Sequence, residues 1–103
     1  MKNEIVLYLL KVGVKPHYKG FNYLVSSLVM TLNADSRIPM LEIYNAVARE
    51  YDISPQRVER CIRTLVSTYY QTMNNPPAYK YTNSEFIYLC TMHMKTHIGT
   101  KEG

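Results

Sequence analysis

The stretch Ser54-Pro55-Gln56-Arg57-Val58-Glu59-Arg60-Cys61-Ile62-Arg63-Thr64-Leu65 constrains the fold of this chain more than any other. Ser54 is a strong helix N-cap, and Pro55 suits the first helical position, where its missing N–H costs nothing. Val58, Ile62, Leu65 and Tyr69 then recur at spacings of four, three and four. At about 100° per residue they form one apolar stripe. Gln56, Arg60, Arg63 and Ser67 fall on the opposite side, with Glu59 on its flank. One side of this helix must dock on a core, and the other carries cations beside a carboxylate. Cations opposite an apolar stripe are most often a solvated face. They are also what a helix in the DNA major groove needs, because Arg grips guanine bidentately and Glu accepts from cytosine.

The segment before it favours the second reading. Pro39 opens a helix in which Ile43, Val47 and Tyr51 make another apolar stripe, and Ala46 and Ala48 permit close approach where helices cross. Only Asp52-Ile53-Ser54 separates the two helices, with Ile53 available to plug the corner. Two helices joined by a three- or four-residue turn, the second one basic, form the helix-turn-helix pattern.

Residues 4–12 read as a first helix with Ile5, Leu9 and Val12 on one face, stopped by Gly13 and the Val14-Lys15-Pro16 segment. Lys19-Gly20 opens a second over about 21–32, with Phe21, Leu24, Val25, Leu28 and Leu32 on its apolar face. The third starts at Pro39, and the fourth runs from Pro55 to about Gln71. Asn74-Asn75-Pro76-Pro77 forbids regular structure and marks an exposed loop. In Thr82-Asn83-Ser84-Glu85, Thr82 can cap and Glu85 return the bond, a capping box that opens a last helix over about 83–97. That helix buries Phe86, Ile87, Cys90 and Met94 and is ended by Gly99. No segment alternates as a strand would. The expected fold is all-α, one compact bundle of five principal helices containing a helix-turn-helix.

Composition narrows the function. The 103 residues are 47% hydrophobic and 19% charged, which suits one globular domain and not a disordered chain. A net charge of +4 favours a polyanionic partner without specifying it. Cys61 and Cys90 form no paired motif, as expected of reduced cytosolic thiols. The apolar run 5–10 is too short for a secretion signal or a membrane span, so a cytoplasmic protein is expected. There is no phosphate-cradling glycine loop, paired-carboxylate motif or nucleophile elbow, hence no expected enzyme, cofactor or small-molecule substrate. Cys90, His93 and His97 share one side of the last helix, but three ligands on one helix without a fourth make poor zinc chemistry. The two histidines are better explained by the dipole at the helix C-terminus. Lys15, His17 and Lys19, ahead of the second helix, are candidates for phosphate contact.

Four blocks also occur in a telling order: Val12-Gly13-Val14; His17-Tyr18-Lys19-Gly20-Phe21-Asn22-Tyr23-Leu24; Ser54 through Arg63; and Thr82-Asn83-Ser84-Glu85-Phe86-Ile87. Together they resemble the C-terminal effector domain of the stage-zero sporulation response regulator family of endospore-forming bacteria, over residues 5 to about 98. The resemblance implies an all-helical DNA-binding domain of a transcription factor that reads a short G/C-bearing promoter box in double-stranded DNA. It places base reading on Glu59, Arg60 and Arg63, with Gln56 and Arg57 nearby. The face analysis gives the same set except Arg57, which projects sideways and is assigned to phosphate together with Ser67, Lys19, His17 and Lys15.

The resemblance further implies head-to-tail pairing on tandem boxes and contact with the sigma subunit of RNA polymerase. The chain departs from the family in three ways. The family's receiver domain is not among residues 1–103, and a protein complete within them would have no aspartyl-phosphate switch; the sequence fits a stand-alone protein and a fragment equally. The segment 71–81 is shorter than the family's, which holds an extra short helix important for pairing. Thr64 stands where relatives often carry a basic residue or His, so the target box is expected to differ. The competing reading is a diverged protein-binding module that acts as antagonist or adaptor of a full-length regulator.

Overall fold

The computed structural model of the chain describes residues 1–73, 75, 76, 78 and 80–102, with residues 97–102 described by backbone alone. Five helices follow one another: α1 Lys2–Val12, α2 Gly20–Asn33, α3 Met40–Tyr51, α4 Pro55–Gln71 and α5 Asn83–Glu102. The fold is all-α. Its middle is α2, which packs against each of the other four helices. Phe21, Leu24, Val25 and Leu28 of α2 meet Ile5 and Leu9 of α1, Ile43 and Val47 of α3, Val58, Ile62 and Leu65 of α4, and Ile87 of α5 in one apolar core.

Because α2 is surrounded, its polar side is buried too. Ser27 donates to the Tyr23 carbonyl at 2.8 Å, and Thr31 meets Thr91 of α5 hydroxyl to hydroxyl at 2.8 Å. Thr91 also donates to the Ile87 carbonyl at 2.7 Å. Short hydroxyl side chains bonded to their own helices satisfy themselves while letting neighbouring helices come close. At Gly20 the approach is at its limit. A Cβ there would collide with the Cys61 carbonyl oxygen of α4 and lie 2.8 Å from the carbonyl carbon, so only glycine fits.

The helix ends follow the sequence signals, with local differences. Gly13 caps α1 at φ 102°, and the Val14 N–H then bonds the Leu9 carbonyl at 2.9 Å. That turn folds Val14 into the core and leaves Val12, expected inside, 37% exposed. Leu32 and Tyr51 are likewise only half-buried. On α4 the inward residue near the end is Tyr70, 7% exposed, and not Tyr69. The expected capping box is complete: Glu85 N–H donates to Thr82 Oγ1 at 3.1 Å, and Thr82 N–H donates to Glu85 Oε1 at 2.8 Å. Phe86, Ile87, Cys90 and Met94 are buried as expected. Gly99 does not end α5, which continues to Glu102. Of the expected 74–77 loop, Asn74 and Pro77 lie outside the described residues.

Candidate nucleic-acid interface

Residues 52–54 carry the chain from α3 into α4, and the two helices pack against each other, consistent with the expected helix-turn-helix. Asp52 takes the left-handed conformation (φ 55°, ψ 51°), which aspartate tolerates better than most residues. The Ile53 N–H then bonds the Ala48 carbonyl at 3.0 Å, and the Ile53 side chain packs on the core. Ser54 Oγ accepts from the Arg57 N–H at 3.1 Å, a working N-cap. The first turn of α4, where a recognition helix makes its base contacts, is thereby fixed.

Val58, Ile62, Leu65, Val66 and Tyr70 are buried, so the opposite side of α4 faces out. Gln56, Arg57, Arg60 and Arg63 are exposed; Glu59 and Ser67 are half-buried. Gln56, Glu59, Arg60 and Arg63 share one shallow depression of about 360 Å³ with Leu41, Tyr44 and Pro55. Arg57 stands apart from it. Ser67 lines the adjoining groove of about 490 Å³, with Glu59, Arg63 and Lys80.

Inside the depression Glu59 Oε2 lies 3.5 Å from Arg63 Nε, one helical turn away. A pair this exposed adds little stability; its consequence is orientation of the guanidinium. The Glu59 main-chain carbonyl is held from outside the helix, where Asn83 Nδ2 of α5 donates to it at 3.1 Å. The same Nδ2 group donates to the Tyr44 hydroxyl of α3, also at 3.1 Å. Asn83 therefore joins three helices directly behind Glu59. Burial raises the Tyr44 hydroxyl above its usual pKa; the Asn83 bond opposes this, the Glu59 charge adds to it and Arg63 offsets it. Tyr44 consequently keeps its proton at neutral pH.

Lys15, His17 and Lys19 are exposed on the connection between α1 and α2. The close approach of Gly20 to the Cys61 and Ile62 backbone brings the residue after Lys19 against α4. Lys15 and His17 precede it on the same connection, and the His17 ring stacks on Tyr18 at 4.6 Å.

Leu41, Tyr44 and Asn83 were not marked by the sequence reading. Leu41 left a trace: it stands on α3 away from the Ile43–Val47–Tyr51 stripe, where solvent alone would favour a polar residue, whereas Tyr44, seven before Tyr51, reads as an edge member of that stripe. Asn83 left none, since it reads as an ordinary first-turn residue.

The histidines of α5 need a correction. With α5 running to Glu102, His93 lies mid-helix and far from the C-terminal dipole, and its Nδ1 is 3.3 Å from the Tyr8 hydroxyl of α1. The His97 side chain lies outside the described residues. Cys90 is buried, and burial pushes its thiol up to about 12. No group of three His, Cys, Asp or Glu able to hold a metal ion occurs among the described residues, and no helix there is long and apolar enough to cross a membrane.

Comparison with known families extends the geometry to nearly the whole chain. The family described as sporulation initiation factor Spo0A C terminal matches residues 5–94, a span that takes in α1 through most of α5. That family consists of DNA-binding regulator domains and is not an enzyme family. The chain belongs to the Spo0A C-terminal family, the DNA-binding effector domains of sporulation transcription regulators.

Proposed function

We propose that this chain is a sequence-specific double-stranded DNA-binding transcriptional regulator whose α4 enters the major groove. The observation that carries the reading is the gathering of Gln56, Glu59, Arg60 and Arg63 on the outward side of a helix whose first turn is fixed by Ser54 and by its packing on α3. In this role Arg60 and Arg63 grip guanines. Glu59 accepts from cytosine and steadies Arg63. Arg57, Ser67, Lys15, His17 and Lys19 meet phosphates. Head-to-tail pairing on tandem boxes and contact with the sigma subunit of RNA polymerase belong to the same proposal, supported by family membership.

Selection of bound duplexes from a random pool tests the reading, followed by titrations at two salt concentrations. Arg60→Ala removes a base contact worth about 1–3 kcal/mol of discrimination and flattens the preference among sequences. Lys19→Ala weakens all sequences alike and lowers the salt slope by about 1. Equal losses from both variants on every duplex would refute the assigned roles. The adaptor reading draws on Leu7, Leu10 and Met92, apolar side chains exposed on α1 and α5. It predicts binding to DNA that is weak and vanishes at physiological salt.

A further inference from the structure

We propose that Leu41 is a specificity-determining residue that reads the C5 methyl group of a thymine in the target box; the inference rests on α4 lying in the major groove. Leu41 is 69% exposed, the most exposed large apolar side chain among the described residues. A single exposed leucine is ordinary on a protein surface. Its location is what gives it meaning, because it stands on the first turn of α3 and lines the same depression as Gln56, Arg60 and Arg63. Leu41, Pro55 and Tyr44 make part of its lining apolar, beside the guanidinium groups of Arg60 and Arg63.

A duplex matches both kinds of lining. Its phosphates and guanine acceptors suit the cations, which also make the depression a poor seat for an apolar protein segment. In the major groove the one apolar feature of a base edge is the thymine methyl group, and apolar side chains read it. The first helix of a helix-turn-helix pair crosses the backbone at the groove edge while the second lies within. A leucine on that first helix, leaning toward the second, is placed to cover a methyl group beside the guanines that Arg60 and Arg63 hold. Arg60, Arg63 and Glu59 then account for the G·C part of the box, Gln56 is able to pair with an adenine, and Leu41 adds a requirement for the thymine methyl group that no polar side chain supplies.

The test uses the full chain and the duplex enriched from a random pool, with each thymine replaced in turn by deoxyuridine, which lacks only the methyl group. One replacement weakens the wild type about fourfold, the worth of one buried methyl group. Leu41→Ala binds the thymine duplex more weakly by a similar factor and no longer senses that replacement, whereas Leu41→Met still does. Equal weakening of Leu41→Ala on the thymine and uracil duplexes would place the contact on the sugar-phosphate backbone and overturn the proposal. So would unaltered binding by Leu41→Ala, insensitivity of the wild type to every replacement, or an enriched box without a fixed thymine. If sequences are enriched and Arg60→Ala flattens them, these outcomes strike Leu41 alone; if nothing is enriched, the major-groove reading falls with it.

Discussion

Asn83→Ala tests how the reading face is held. The amide is buried and makes two hydrogen bonds at 3.1 Å, to the Tyr44 hydroxyl and to the Glu59 main-chain carbonyl. Neither acceptor is left stranded by the change. A carbonyl inside a helix keeps its bond from the N–H four residues on, and the half-buried Tyr44 hydroxyl can turn to water. The loss is therefore that of two net hydrogen bonds, about 1–3 kcal/mol in total. For a domain of this size each kcal/mol lowers the melting temperature by about 4–8 °C. Chemical denaturation of the wild type, Asn83→Ala, Tyr44→Phe and the double variant closes a cycle in which the Asn83–Tyr44 coupling is about 1 kcal/mol. If the amide also positions Glu59, Asn83→Ala loses discrimination among box sequences while its salt slope stays unchanged. A stability loss below about 0.5 kcal/mol, with discrimination intact, would refute the reasoning.

Two further outcomes follow from the packing. Gly20→Ala costs about 1–3 kcal/mol by overpacking, because the obstacle is the Cys61 backbone and not a side chain that can rotate away; equilibrium unfolding measures it. Cys90, its thiol pushed up to about 12, resists thiol reagents at pH 8 in the native state while the half-buried Cys61 reacts. Its folded pKa lies above the unfolded value of about 8.5, so the stability it contributes is intact below that pH and is lost as pH rises toward 12. Melting curves fall progressively over that window, less steeply in Cys90→Ala.

Chain punctuation was the most legible part of the fold. Ser54-Pro55 and the 82–85 capping box are local signals whose chemistry is complete within four residues, and both helices start where those signals put them. Periodicity was less secure wherever a helix changes partners. Along α4, Val58, Ile62 and Leu65 point inward as the spacing predicts, but farther along Val66 and Tyr70 take over from Tyr69. There α4 meets α5 and the segment before it, and Tyr70 sets its ring against Phe86 and Tyr81. The burial of the α2 hydroxyls is not encoded in periodicity at all. Ser26, Ser27 and Thr31 look like a solvated side, yet bonds to nearby backbone and to α3 and α5 let them be buried.

The site divides along the same physical line. The cations of α4 were legible because one helix presents them all. Leu41 and Tyr44 join that surface only through the crossing of α3 over α4, which no local spacing encodes. Asn83 reaches Glu59 across 24 positions and Tyr44 across 39, so its part depends on the whole bundle closing. The legible and illegible parts are nonetheless one device. Thr82 and Glu85 fix the first turn of α5; that turn places Asn83; and Asn83 holds the Glu59 carbonyl and the Tyr44 hydroxyl. On the proposed reading, Glu59 also gives the surface its selectivity. A carboxylate among arginines repels phosphate and lowers indiscriminate affinity, and only a donor such as the cytosine amino group compensates for its burial in the groove. Asn83 steadies the backbone from which that carboxylate projects, and Arg63, 3.5 Å away, steadies the carboxylate itself; together they raise the penalty for a wrong base, which a freely swinging Glu could escape by turning to solvent.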